Sequence, residues 1–94
     1  MKSKADRHAW LLNRIKEQGE VDILNQKFVD DYIAFSEAPA KLMMFGAAKC
    51  PTLGRDLAVL YDENKLTRWA CGLPGAESGF PKWVYCYDLP KAKE

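Results

Sequence analysis

The chain has 94 residues, 48% hydrophobic and 12% aromatic, a content that supports one packed core and excludes both a multidomain chain and a disordered one. Fourteen Lys and Arg nearly balance thirteen Asp and Glu, so the formal net charge is +1 and the strong basicity of many nucleic-acid binders is absent. No apolar run approaches the ~20 residues of a membrane span, and one histidine with three cysteines shows no zinc-ligand spacing, so membrane, metal and cofactor classes are set aside.

Ser3-Lys4-Ala5-Asp6 fits a capping box and predicts a helix over 3–18. His8, Leu11, Leu12 and Ile15 form its apolar stripe, Gly19 is its left-handed stop, and Trp10 points off the stripe. Glu20-Val21 makes a brief extended link, after which Asp22 is expected to cap a second helix over 22–36 with Leu24, Phe28, Tyr32 and Phe35 on one face. Val29 and Ile33 lie off that face and either meet another element of the same fold or serve a dimer contact. The run from Ala38-Pro39 to Phe45 predicts a short third helix over 39–46, apolar on nearly every side and stopped at Gly46.

Pro51 or Thr52 opens a fourth helix over 51–64. Its Leu53, Leu57, Leu60 and Tyr61 make a docking face, opposed by a presenting face of Thr52, Arg55, Val59 and Asp62. Strands over 66–71 and 82–89 follow, joined by a Gly/Pro-rich loop, and Trp83, Tyr85, Tyr87 and Leu89 alternate with Val84, Cys86 and Asp88. A bond between Cys71 and Cys86 across this hairpin is the less favoured alternative: the cysteines are odd in number without CxxC spacing and the start Met1-Lys2-Ser3-Lys4 is no signal segment, so a cytoplasmic protein with reduced thiols is expected.

This order of parts resembles a winged helix-turn-helix domain: α+β, four helices followed by a two-stranded antiparallel wing, in a single domain over 1–94. Three pieces are similar to the N-terminal DNA-binding segment of DeoR-type bacterial repressors: the stretch from Leu12 to Ile23, Thr52-Leu53-Gly54-Arg55-Asp56-Leu57, and the stretch from Leu60 to Arg68. In that family a threonine, an aliphatic residue, two arginines, an aspartate and a leucine begin the recognition helix, and Gly54 stands here at the first arginine. A free-standing domain of this kind is also similar to small regulators of phages and other mobile elements.

The resemblance implies a regulator or repressor of transcription that binds double-stranded DNA in a sequence-specific way, with helix 51–64 in the major groove. Arg55 would then meet a guanine edge, Thr52 a phosphate or thymine methyl, and Lys41 and Lys49 phosphates, while Arg68 and Lys82 beside the wing reach the backbone or minor groove. A homodimer is expected, because one small reading head makes few base contacts. The alternative is a winged-helix interaction module that modulates a host, replication or transcription protein, anchored by Trp10, Val29, Ile33 and Val59. For Arg55 the plain alternative is a surface ion pair with Asp56 or Asp62. An enzyme is not expected, since His8 and the scattered cysteines form no converging catalytic set. Trp69, Trp83, Tyr85 and Tyr87 are taken as cover for the core rather than a base-stacking platform.

Overall fold

In the computed structural model, which describes residues 1–42, 48–72 and 83–90, Ser3 caps the first helix by accepting the Asp6 N–H at 3.2 Å. Helix α1 spans Lys4–Gln18 and ends where Gly19, at φ +88°, returns its N–H to the Ile15 carbonyl. The buried stripe is His8, Leu11 and Ile15, with Leu12 half-buried beside it. Trp10 does not point away. It stacks on Phe28 and Phe35 at centroid distances of 6.3 and 5.5 Å, and meets the Tyr32 edge at 5.9 Å.

Strand β1, Val21–Asp22, precedes helix α2, Gln26–Ser36. The cap of α2 is Asn25, which accepts the Phe28 N–H at 3.1 Å, rather than the expected Asp22. The backbone of Asp22 is held opposite Cys86, and its carboxylate closes the following turn by accepting the Leu24 N–H, so the helix starts later and Leu24 stays exposed. Phe28, Val29 and Tyr32 are each at most 2% exposed, and Val29 therefore meets the same fold.

The helix expected over 39–46 is not formed at its start. Lys41–Leu42 is strand β2, paired antiparallel with β3, Ala48–Lys49, as a short ribbon; residues 43–46 of that expected helix lie outside the described residues. Helix α3, Pro51–Asp62, follows at once, with proline at its N-terminus where a missing N–H costs nothing. Strands β4, Thr67–Gly72, and β5, Trp83–Asp88, form a hairpin ladder from Thr67 opposite Asp88 to Gly72 opposite Trp83.

Strand β5 is central, and the sheet order is β1-β5-β4, with all pairings antiparallel. The described architecture is thus α+β: three helices, one three-stranded sheet and the β2/β3 ribbon. The core is built from Leu11 and Ile15 of α1, Phe28 and Tyr32 of α2, Leu53, Leu57 and Leu60 of α3, and Val21, Leu66 and Tyr87 around the sheet. Each fully buried aliphatic or aromatic side chain here contributes about 1.5–3 kcal/mol by leaving water. Among the described residues no helix is long and apolar enough to cross a membrane.

Candidate nucleic-acid interface

The orientation of α3 is set by an acid on its inner side. Asp56 is only 4% exposed, and its carboxylate accepts from three side chains on the other two helices. Arg7 Nε lies 2.8 Å from Oδ2 and Arg7 Nη2 lies 3.2 Å from Oδ1, a bidentate pair. Tyr32 donates its hydroxyl to Oδ2 at 2.5 Å, and His8 Nε2 lies 3.3 Å from Oδ1. Because an ionised carboxylate only accepts, the His8 ring carries a hydrogen on Nε2. All four lone-pair directions of the carboxylate are thereby used, and α1, α2 and α3 are tied at one point.

Burial alone would raise the Asp56 pKa, yet the hydrogen bonds from Arg7 and Tyr32 and the Arg7 charge hold it below the ordinary carboxylate value. Burial pushes the Tyr32 phenol well above its usual range and the adjacent carboxylate pushes it further, so it remains a donor. The residue pattern offers Asp56 as part of the repressor-like motif and as a surface partner for Arg55, not as a buried hub. The signal that points to it is phase: an acid three residues after Leu53 and one before Leu57 falls on the buried side of the helix.

With Asp56 turned inward, its neighbour Arg55 is exposed. The Arg55 guanidinium donates only a long 3.4 Å bond to the Thr52 hydroxyl, and no carboxylate among the described residues lies within 4.0 Å of it. The expected pairing of Arg55 with Asp56 or Asp62 is therefore not made. Thr52 is 8% exposed, so its hydroxyl sits under Arg55 rather than on the outer surface. Gly54 adds open space beside them: a Cβ at that position would meet nothing within 4 Å.

Lys41 and Lys49 are exposed and stand directly opposite each other in the β2/β3 ribbon, immediately before α3. Directly opposed residues of an antiparallel pair share a face, so two ammonium groups emerge side by side, an arrangement that costs stability unless an anion offsets it. Two acids elsewhere are ion-paired. Asp31 takes Arg14 at 2.8 Å and Lys27 at 3.5 Å, and Glu63 lies 3.5 Å from Lys65.

Arg68 is held differently from the role expected of it. Its guanidinium lies between the Tyr61 and Tyr85 rings, 4.0 and 4.2 Å from their centroids, bridging the end of α3 to the sheet. Tyr61 is consequently 36% exposed over this stack rather than part of the leucine face. Lys82 lies outside the described residues. Of the expected partner contacts, Val29 is in the core, Ile33 and Trp10 pack against it, and Val59 is half-buried on α3. Trp69 and Trp83 on the hairpin, expected to cover the core, are instead the most exposed aromatics among the described residues, at 40% and 50%. Comparison with protein-family models, with curated proteins and with solved structures finds no match to this chain.

Proposed function

We propose that this domain is a winged helix-turn-helix that binds double-stranded DNA as a regulator of transcription, with α3 as its reading helix and the β4/β5 hairpin as its wing. The sheet order β1-β5-β4 supports the fold reading: the strand between the first two helices pairs with the last strand of the hairpin that follows α3. The ribbon of β2 and β3 is an insertion before the reading helix.

One observation carries the functional reading: Lys41, Lys49 and Arg55, gathered at the N-terminal end of α3, have no acidic partner within 4.0 Å among the described residues. Elsewhere Arg7 pairs with Asp56, Arg14 and Lys27 with Asp31, and Lys65 with Glu63, so a near-neutral total is compatible with a local cationic ridge. On a duplex, Arg55 reads a guanine edge, while Lys41 and Lys49 hold phosphates and the N-terminal amides of α3 add further donors. A homodimer on paired half-sites supplies the affinity that one such head lacks.

The test is a titration with fragmented genomic duplex at low and physiological salt. Two phosphate-neutralising cations per domain, Lys41 and Lys49, give a log–log salt slope of about −1.8 per bound domain. Arg55→Ala is expected to cost about 1–3 kcal/mol of binding. Lys49→Glu is diagnostic because it replaces a like-charge pair by an ion pair in the ribbon: it should leave stability unchanged or raise it by about 0.2–1 kcal/mol while weakening DNA binding. Absence of duplex binding at low salt removes this proposal. The exposed Trp69 and Trp83 then favour the second reading, an interaction module whose wing grips another protein.

A further inference from the structure

The outer side of the sheet carries a group of ligands unrelated to the DNA reading. Cys71 of β4 and Cys86 of β5 are joined as a disulfide on a diagonal of the ladder, since Cys71 stands opposite Val84 and Cys86 opposite Trp69. This corrects the expectation of two separate reduced thiols. Cys86 is 2% exposed, Cys71 is half-buried, and the exposed Glu20 completes a cluster whose ligand atoms all lie within 4.8 Å of one another. Glu20 reaches this place because β1 pairs with β5: Asp22 stands opposite Cys86, and Glu20, two residues earlier, falls on the same face.

A carboxylate beside a disulfide has no donor to meet there, and among the described residues no cationic side chain lies within 4.0 Å of Glu20. Once the disulfide opens, two thiols and a carboxylate converge, a set that becomes soft and anionic as a cation displaces the thiol protons. We propose that the reduced protein binds one thiophilic divalent cation of the zinc class through Cys71 Sγ, Cys86 Sγ and the Glu20 carboxylate, and that disulfide formation and metal binding are mutually exclusive.

Two equivalents of a small thiol reductant supply two electrons and two protons, opening the Cys71–Cys86 bond and leaving as their own disulfide. The cation then displaces the two S–H protons to solvent and forms two metal–sulfur bonds, with Glu20 as third ligand and water as fourth. Two thiolates select this class over magnesium or calcium, which favour oxygen ligands throughout. Oxidation reverses the sequence: the thiolates lose two electrons to an incoming disulfide and the cation is released.

The experiment uses the full chain, reduced with a phosphine and kept anaerobic, titrated with Co²⁺ as spectroscopic probe and then with Zn²⁺ in competition. The expected result is one equivalent of cobalt, with thiolate-to-cobalt charge transfer and tetrahedral d–d bands, displaced by zinc and absent from the oxidised protein. Glu20→Gln, at an exposed position, should keep the fold and weaken binding by about tenfold or more. Cys71→Ser should remove one thiolate and the tight site, whereas Cys50→Ser should leave it intact. No saturable one-to-one cobalt spectrum in reduced wild type overturns the proposal. So does binding unchanged by both Glu20→Gln and Cys71→Ser.

Discussion

Replacing Asp56 by Asn is the sharpest perturbation of the helix assembly. The two side chains are nearly isosteric, so the change tests charge and lone pairs rather than volume. At this position the carboxylate meets four donor contacts: Arg7 Nε, Arg7 Nη2, the Tyr32 hydroxyl and His8 Nε2. A carboxamide offers one oxygen, and its NH2 group is turned toward donors. Tyr32 can turn its hydroxyl proton and His8 can change tautomer, but Arg7 can do neither and keeps its charge at 12% side-chain exposure. Removing one partner of such a buried pair costs about 3–5 kcal/mol, and relaxation of Tyr32 and His8 places the expectation at about 3 kcal/mol at the lower end of that range. A domain of this length has roughly 5–14 kcal/mol in total, and the loss should lower Tm by about 12–24 °C. Thermal and urea unfolding of wild type, Asp56→Asn and the exposed control Asp62→Asn measure it. A double-mutant cycle with Arg7→Met isolates the pair. If Asp56→Asn unfolds within 1 kcal/mol of wild type, or the cycle is additive, the buried hub does not hold the helices as argued.

The same carboxylate predicts an acid dependence. Its folded pKa lies below the unfolded value of about 3.9, so the native state binds fewer protons there; the stabilisation is complete above that pH and is lost as pH falls through the lowered folded value. Stability measured from pH 5 downward should therefore fall less steeply in Asp56→Asn than in wild type, and identical acid limbs would contradict the assignment. Gly54→Ala should raise stability by about 1 kcal/mol, because an added Cβ meets nothing within 4 Å in a helix interior; a destabilised variant would show that the space is not open. Gly54→Arg restores the first arginine of the repressor-like pattern and should tighten duplex binding while remaining folded, a comparison read by the same DNA titration. Leu57→Ala, at 0% exposure between the helices, should cost about 2–5 kcal/mol in urea unfolding, and a smaller loss would mean the core collapses around the gap.

Elements whose causes are local were legible from the residues. The Ser3 cap, the Gly19 stop, the proline at the start of α3 and the aromatic alternation of β5 each act within a few positions, and each appears close to the expected boundary. What was not legible depends on partners far along the chain. Asp22 and Asn25 are both good caps, and the choice falls to Asn25 because β5 claims the backbone of Asp22. The apolar stretch after Pro39 has no period to separate helix from strand, and the pairing of Lys41 with Lys49 decides it at its start. In the candidate interface, Arg55, Lys41 and Lys49 were visible as cations ahead of or early in a helix. That Arg55 lacks an acid partner follows only from Asp56 being taken by Arg7, which lies 49 positions away.

The central strand of the sheet is also the last one to leave the ribosome. Neither β1 nor β4 has a neighbour until β5 arrives, so during synthesis three helices and the β2/β3 ribbon can gather while every bond of the three-stranded sheet waits for residues 83–88. A nascent chain stalled before that point would display Val21 and Leu66 without their cover, the form in which chaperones and proteases would meet it.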